Sequence, residues 1–289
     1  MRTQSMDTSP EAERFLITLL HQRGAAKRFH LAASMSYSAK VAALLAFQQE
    51  KPGLDEQEAL FHAEELSWGS SLVAELRQVA EQRQIWPEFS TISLEAAFIP
   101  ILQALEQMGI TCALTGSLAR SIYGMQRTHL QVDIVARLEH VDAVFLQKLL
   151  PAAFYARPAD IQAAVAEKTS FIYYHLPSLF SIQVSFPRVH LDEATMLTRT
   201  HHLTLLEGEP ALLVLAPEDI VVLTLEEIQK AQTEIWRKRR KEEPDDLWNE
   251  LLGVLKVQGQ DLDLQFIERQ AHRFDLLNSM RHAFEDAGL

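Results

Sequence analysis

The stretch "TGSLARSIYGMQRTHLQVDIVARL" (115–138) decides how this chain is read. It opens on Gly116-Ser117, continues through a short helix-forming segment, and ends on an apolar run that carries one acid, Asp133. Gly116 can take backbone conformations closed to other residues, so that successive N–H groups converge. A helix starting at such a turn directs partial positive charge at an anion, and Ser117 adds a hydroxyl donor. Asp133 falls on an expected strand, where the side chain two residues earlier shares its face. A metal-dependent phosphoryl transferase would place carboxylates at both positions, so that two divalent cations bridge the nucleotide and the attacking oxygen. The earlier position here is Gln131. A Gly-Ser turn and one distant acid are a weak signal alone, because such turns are common.

The surrounding sequence gives that stretch its context. "LEAAFIPILQALEQMG" reads as an amphipathic helix ending at Gly109, and "ITCALTG" as a short buried strand. "VDIVARL" is a second strand, and "SFIYYHL" with "FSIQVSF" forms a hairpin across Pro177-Ser178. "PAAFYARPADIQAAVAEK" reads as helical, "ALLVLA" as a strand leading into a helix at "PEDIVVLTLEEIQKAQTEIW", and 245–286 as two or three amphipathic helices. Upstream, Ser9-Pro10 marks a helix start and Gly24 its end. Further helices are expected at 35–50, from Asp55, and from Trp68-Gly69 to about Gln84. The expected architecture is therefore α+β: an all-helical domain over 1–88, then a small mixed sheet flanked by helices over 89–289, with a helical C-terminal part from about 217.

At 289 residues there is chain enough for two ordinary domains, and 47% hydrophobic with 23% charged residues is a globular composition. No apolar run reaches the roughly 18 residues of a spanning helix, and the start lacks the apolar core of a signal peptide. A single cysteine, Cys112, excludes an internal disulfide. A cytoplasmic protein without membrane association is expected. The net charge of −12 argues against bulk nucleic-acid binding. The basic run "WRKRRK" (236–241) leads straight into "EEPDDLWNE", which reads as a solvated helix end.

From about 93 to 286 the chain resembles the bacterial nucleotidyltransferase-like proteins of the polymerase-beta fold, including their antitoxin-type branch. "TGSLARSIYGMQRTHLQVDIVA" is similar to the first block of that family, "IQVSFP" (182–187) to its third-carboxylate strand, and "APEDIVVL" (216–223) to a later helix start. The resemblance implies a nucleotide-binding turn at Gly116 and Ser117 with Arg127 nearby, and Asp133 as a metal ligand, with Mg²⁺ as the cation and an NTP as the nucleotide. Its departures fall on the chemistry. Gln131 and Gln183 stand where the family has aspartates, His129 where it has threonine, and Thr224 where many relatives have lysine. Ser185 replaces Gln183 as the match if the register slips by two. Three carboxylates facing two divalent ions give −3 against +4; this chain keeps −1, and hard cations favour carboxylate oxygens over amides. Asp192, Glu193 or Glu218 could supply ligands from nearby loops, although each reads better as a surface or helix-capping acid.

Three functions follow as expectations. The first is a non-catalytic protein acting as an antitoxin-like binding or interaction module with a protein partner. The second is an active enzyme moving NMP to a protein or RNA acceptor. The third is a scaffold whose helical part docks a partner. Residues 27–83 also resemble a small helical module encoded beside nucleotidyltransferase-like proteins, on Pro52, Leu54, Asp55, Glu56, Glu58, Trp68 and Gly69. The pairs Arg14…His21 and Arg23…His30 have the spacing of a HEPN-type ribonuclease, which with eleven histidines is also expected by chance. His201-His202 lack any metal-ligand spacing.

Overall fold

The computed structural model describes residues 2–3, 8–128, 131–205, 211–231 and 244–289. The basic run at 236–241 and His129 lie outside the described residues. Among those described, no helix is long and apolar enough to cross a membrane.

Helix α1 (Pro10–Glu50) opens as expected, with the Ser9 side chain accepting from the Ala12 N–H. It kinks at Gly24, whose φ of 73° suits glycine, but helix resumes at once instead of waiting for residue 35. The resumption follows from "AAKRFHLAAS", a run of helix formers that buries Phe29 and Ala32 completely. Helix α2 (Glu56–Trp68) is capped by Asp55, whose carboxylate accepts from the Glu58 N–H at 2.8 Å. Gly69, at φ 81°, separates it from α3 (Ser70–Arg83). Helix α4 (Leu94–Gln107) is capped by Ser93 and turned off at Gly109, φ 70°.

Strand β1 (Cys112–Thr115) leads into α5 (Gly116–Tyr123), which is followed by β2 (Gln131–Ala136) and α6 (His140–Leu149). The segment read as one helix over 151–168 divides. Phe154–Tyr155 form a short strand, β3, against His175 and Tyr174, and α7 (Pro158–Glu167) begins only at Pro158. Proline holds the residue before it extended, and Arg157 is (φ −69°, ψ 123°). The hairpin of β4 (Ser170–His175) and β5 (Phe180–Ser185) follows, then α8 (Glu193–Met196), β6 (Thr200–Leu203), β7 (Leu212–Leu215) and α9 (Pro217–Ala231). Helices α10 (Pro244–Gln258), α11 (Leu264–Arg273) and α12 (Leu277–Ala287) end the chain. The seven strands form one mixed sheet in the order β3-β4-β5-β2-β1-β7-β6, and the class is α+β.

Two compact units divide these elements. One comprises residues 33–113 and 128–187, and its core joins α2–α4 to β2, β4 and β5 through Phe61, Leu76, Phe98, Ile101, Ile134, Tyr173 and Phe180. The other comprises residues 1–32, 114–127 and 188–289, packing α5, α9, α10, α11 and α12 around Leu118, Ile122, Val221, Leu251, Leu255 and Ile267. In this second unit α5 and α10 approach so closely that a Cβ on Gly124 would lie 2.6 Å from Val254 N and 2.7 Å from Gly253 C, backbone atoms that cannot swing aside. Buried Arg28 donates to the carbonyls of Leu20 and Ile122, so its cation meets the carbonyl ends of two helical segments.

Candidate functional site

On β2, apolar Val132, Ile134 and Val135 are buried, whereas Gln131 and Asp133 are half-buried on one face. Parallel pairing with β5 puts Gln183 directly beside Asp133 and Ser181 beside Gln131. Ser185 pairs with Val135 instead, and its hydroxyl donates to the Ile134 carbonyl at 3.1 Å. Register therefore selects Gln183 over Ser185 as the neighbour of Asp133. Gln131 Nε2 donates to Asp133 Oδ1 at 2.7 Å, so the amide in the earlier position hydrogen-bonds the acid it accompanies.

Within the other unit, Gly116 begins α5 with φ 64° and Ser117 follows it, both half-buried. The helix that starts there is held along its length. Buried Arg120 pairs with Glu227, 3.1 Å away, and with Glu250, and Ser121 Oγ accepts from the Arg127 N–H. The Arg127 guanidinium pairs with Asp246 at 3.1 Å. Thr224, in the lysine position, is buried and donates to the Ile220 carbonyl.

The acids that could have substituted for missing ligands each have partners of their own. Asp192 accepts from Thr195 at 2.8 Å and pairs with Arg273 at 3.2 Å, which holds its carboxyl below the usual carboxylate range. Glu193 accepts from the Arg188 N–H and pairs with its guanidinium, and Glu218 accepts from the Asp263 N–H and pairs with Arg199. Glu193 and Glu218 both lie in the first turn of a helix, as the helix-capping alternative has it, and both are buried and not at the surface. Among the described residues no group of three His, Cys, Asp or Glu side chains could hold a metal ion. The ribonuclease-type histidines are engaged as well: His21 Nδ1 lies 2.9 Å from the Val257 carbonyl and His30 Nε2 2.8 Å from that of Leu205.

Sequence reasoning missed Asp219. The "PED" at the start of α9 signals ordinary first-turn acids, yet Asp219 is wholly enclosed and neither carboxylate oxygen accepts a hydrogen bond. Nothing in the local pattern separates it from Glu218, because its burial is imposed by α11 and the segment before β6.

No protein-family model and no curated protein matches the chain. Among solved structures it is similar to an antigenic nucleotidyltransferase-like protein from Paracoccidioides brasiliensis, at 16% identity and a TM-score of 0.36, over 64% of this chain and 91% of that one.

Proposed function

We propose that the chain is a nucleotidyltransferase-fold protein with a degenerate metal site, working as a non-catalytic, antitoxin-like binding or interaction protein. One observation carries this reading: Gln131 donates its amide N–H to Asp133, and Gln183 is the cross-strand neighbour of the same acid. Where two cations would need a carboxylate cluster, β2 and β5 offer one carboxylate and two amides. Mg²⁺ demands near-octahedral oxygen ligation and gives up water reluctantly, so this donor set does not fit a two-metal centre. Gly116, Ser117 and Arg127 would contact the phosphates of an NTP if one docks, through converging N–H groups at the start of α5. The exposed apolar residues Val141, Val144, Phe145 and Leu149 of α6 agree with an interaction role.

The test is a labelling assay with the full chain, radiolabelled NTPs and Mg²⁺ or Mn²⁺. No NMP incorporation is expected. Incorporation that Asp133→Asn abolishes would make the protein an enzyme and end this reading. Conversely, Gln131→Asp combined with Gln183→Asp is expected to create measurable Mg²⁺ binding by calorimetry that the natural chain lacks.

A further inference from the structure

The start of α9 forms a second constellation, wholly within the unit of residues 1–32, 114–127 and 188–289. Glu218 and Asp219 are successive residues of its first turn, and one guanidinium serves both. Arg199 Nη2 lies 3.4 Å from Glu218 Oε2 and Arg199 Nε 3.4 Å from Asp219 Oδ2. The same guanidinium carbon is 3.5 Å from the centroid of the Phe266 ring on α11. Arg199 leads directly into β6, so one side chain joins the segment before that strand to the starts of two helices. The two acids are unequally served. Glu218 also accepts from the N–H of Asp263, the cap residue of α11. Asp219 has no exposed surface, and neither of its oxygens accepts a hydrogen bond.

Two charge states give two arrangements. With Asp219 protonated, Arg199 balances Glu218 and lies over Phe266. With Asp219 ionised, two carboxylates share one cation, and the enclosed one attracts it more strongly. Water screens Asp219 least, and Glu218 keeps the Asp263 N–H as a second donor. A guanidinium serves a carboxylate best by forking onto it through two parallel N–H groups. Doing so at Asp219 takes Nη2 away from Glu218. We propose that Arg199 is a proton-operated latch, bridging Glu218 and Phe266 while Asp219 is protonated and turning onto Asp219 when that carboxyl ionises, which frees the start of α11. The latch stands apart from the reading of the β2–β5 face.

The changeover falls near neutrality. Burial pushes the Asp219 carboxyl up to about 7, with Arg199 opposing the rise and Glu218 adding to it. The other groups facing it are Tyr123 of α5 with Arg28 of α1 beside it, Gln270 and Arg273 of α11, and Asp192 at the start of α8. The latch is therefore closed on the acid side of neutrality and open on the alkaline side.

The experiment is NMR of the isotope-labelled full chain across neutral pH, following the Arg199 δ protons, which do not exchange with water. The Phe266 ring displaces these signals upfield while the guanidinium lies over it, and Phe266→Leu supplies the undisplaced reference. In the natural chain the displacement should disappear as pH rises, with a midpoint near 7. In Asp219→Asn it should persist at every pH. Glu218→Gln keeps an acceptor for the Asp263 N–H but removes the competing charge, so its midpoint should lie below that of the natural chain. This second variant keeps the test decisive where Asp219→Asn fails to fold. A displacement that persists on the alkaline side in the natural chain would overturn the proposal. So would its loss in Asp219→Asn, or an unchanged or raised midpoint in Glu218→Gln.

Discussion

Asp133 sits half-buried on β2 and accepts a hydrogen bond from Gln131, its neighbour on the same face, whereas Asp219 is fully enclosed in the first turn of α9 with neither oxygen hydrogen-bonded. The contrast comes from backbone geometry. A strand presents residues i and i+2 to the same side, so a polar pair two positions apart can satisfy itself wherever the sheet lies. A first-turn acid on a helix depends on what the rest of the fold lays against it. Around Asp219 the fold supplies apolar packing and one shared guanidinium. An amide therefore moderates one acid, and the other keeps an unmet demand.

The largest expected effect breaks the Asp219 side of this contrast. Its folded carboxyl titrates at about 7 against an ordinary 3.8, so the folded state holds a proton that the unfolded chain has already released. Stability from this group is greatest below about 4 and falls as pH rises toward 7, by on the order of 3–4 kcal/mol in all. Asp219→Asn should remove that slope in denaturant titrations run from pH 4 to 8. A slope unchanged in the variant would refute the assignment.

Next comes the support of α5. Gly124→Ala should cost about 3 kcal/mol, because the added methyl meets the backbone of α10 at 2.6–2.7 Å. Chemical denaturation measures it, and a cost below about 0.5 kcal/mol would mean that the helices can separate easily.

His175 in the other unit provides the opposite pH term. Burial lowers its imidazole to about 4 from 6.5, so the folded state resists protonation and stability falls as pH drops from 6.5 toward 4. The expected loss is roughly 2–3 kcal/mol. The two terms oppose each other over that window. His175→Gln should therefore expose the Asp219 slope, and Asp219→Asn the histidine one. Identical profiles for the two variants would show that neither group governs the pH response.

The smallest effect is on the β2 face. Gln131→Ala removes the donor to Asp133 and should cost about 1 kcal/mol or less, since both groups are half-buried. A much larger loss would mean that the amide does more than answer the carboxylate.

Much of the framework was legible because its signals are local. Ser9-Pro10, Asp55, Gly69 and Gly109 act as the helix starts and stops expected of them, and β1, β2, β4, β5 and β7 fall on the expected apolar runs. The division of 151–168 was less legible. Phe154 and Tyr155 form a strand only because His175 and Tyr174 pair with them, and a two-residue strand leaves no period of its own. Continuation of α1 past Gly24 was similarly hidden, since a positive-φ glycine usually stops a helix and here only kinks it.

By itself the sequence determined the strand period that puts Gln131 and Asp133 on one face, the glycine that opens the turn before α5, and the presence of amides where carboxylates would serve two cations. Tertiary structure alone decided that Gln183, and not Ser185, stands beside Asp133, because register is a relation between two strands. It also decided that Asp219 is fully enclosed with no hydrogen bond while Glu218, on the same arginine, accepts one from the Asp263 N–H. The two occupy successive positions on one helix turn, and only the elements packed against that turn tell them apart.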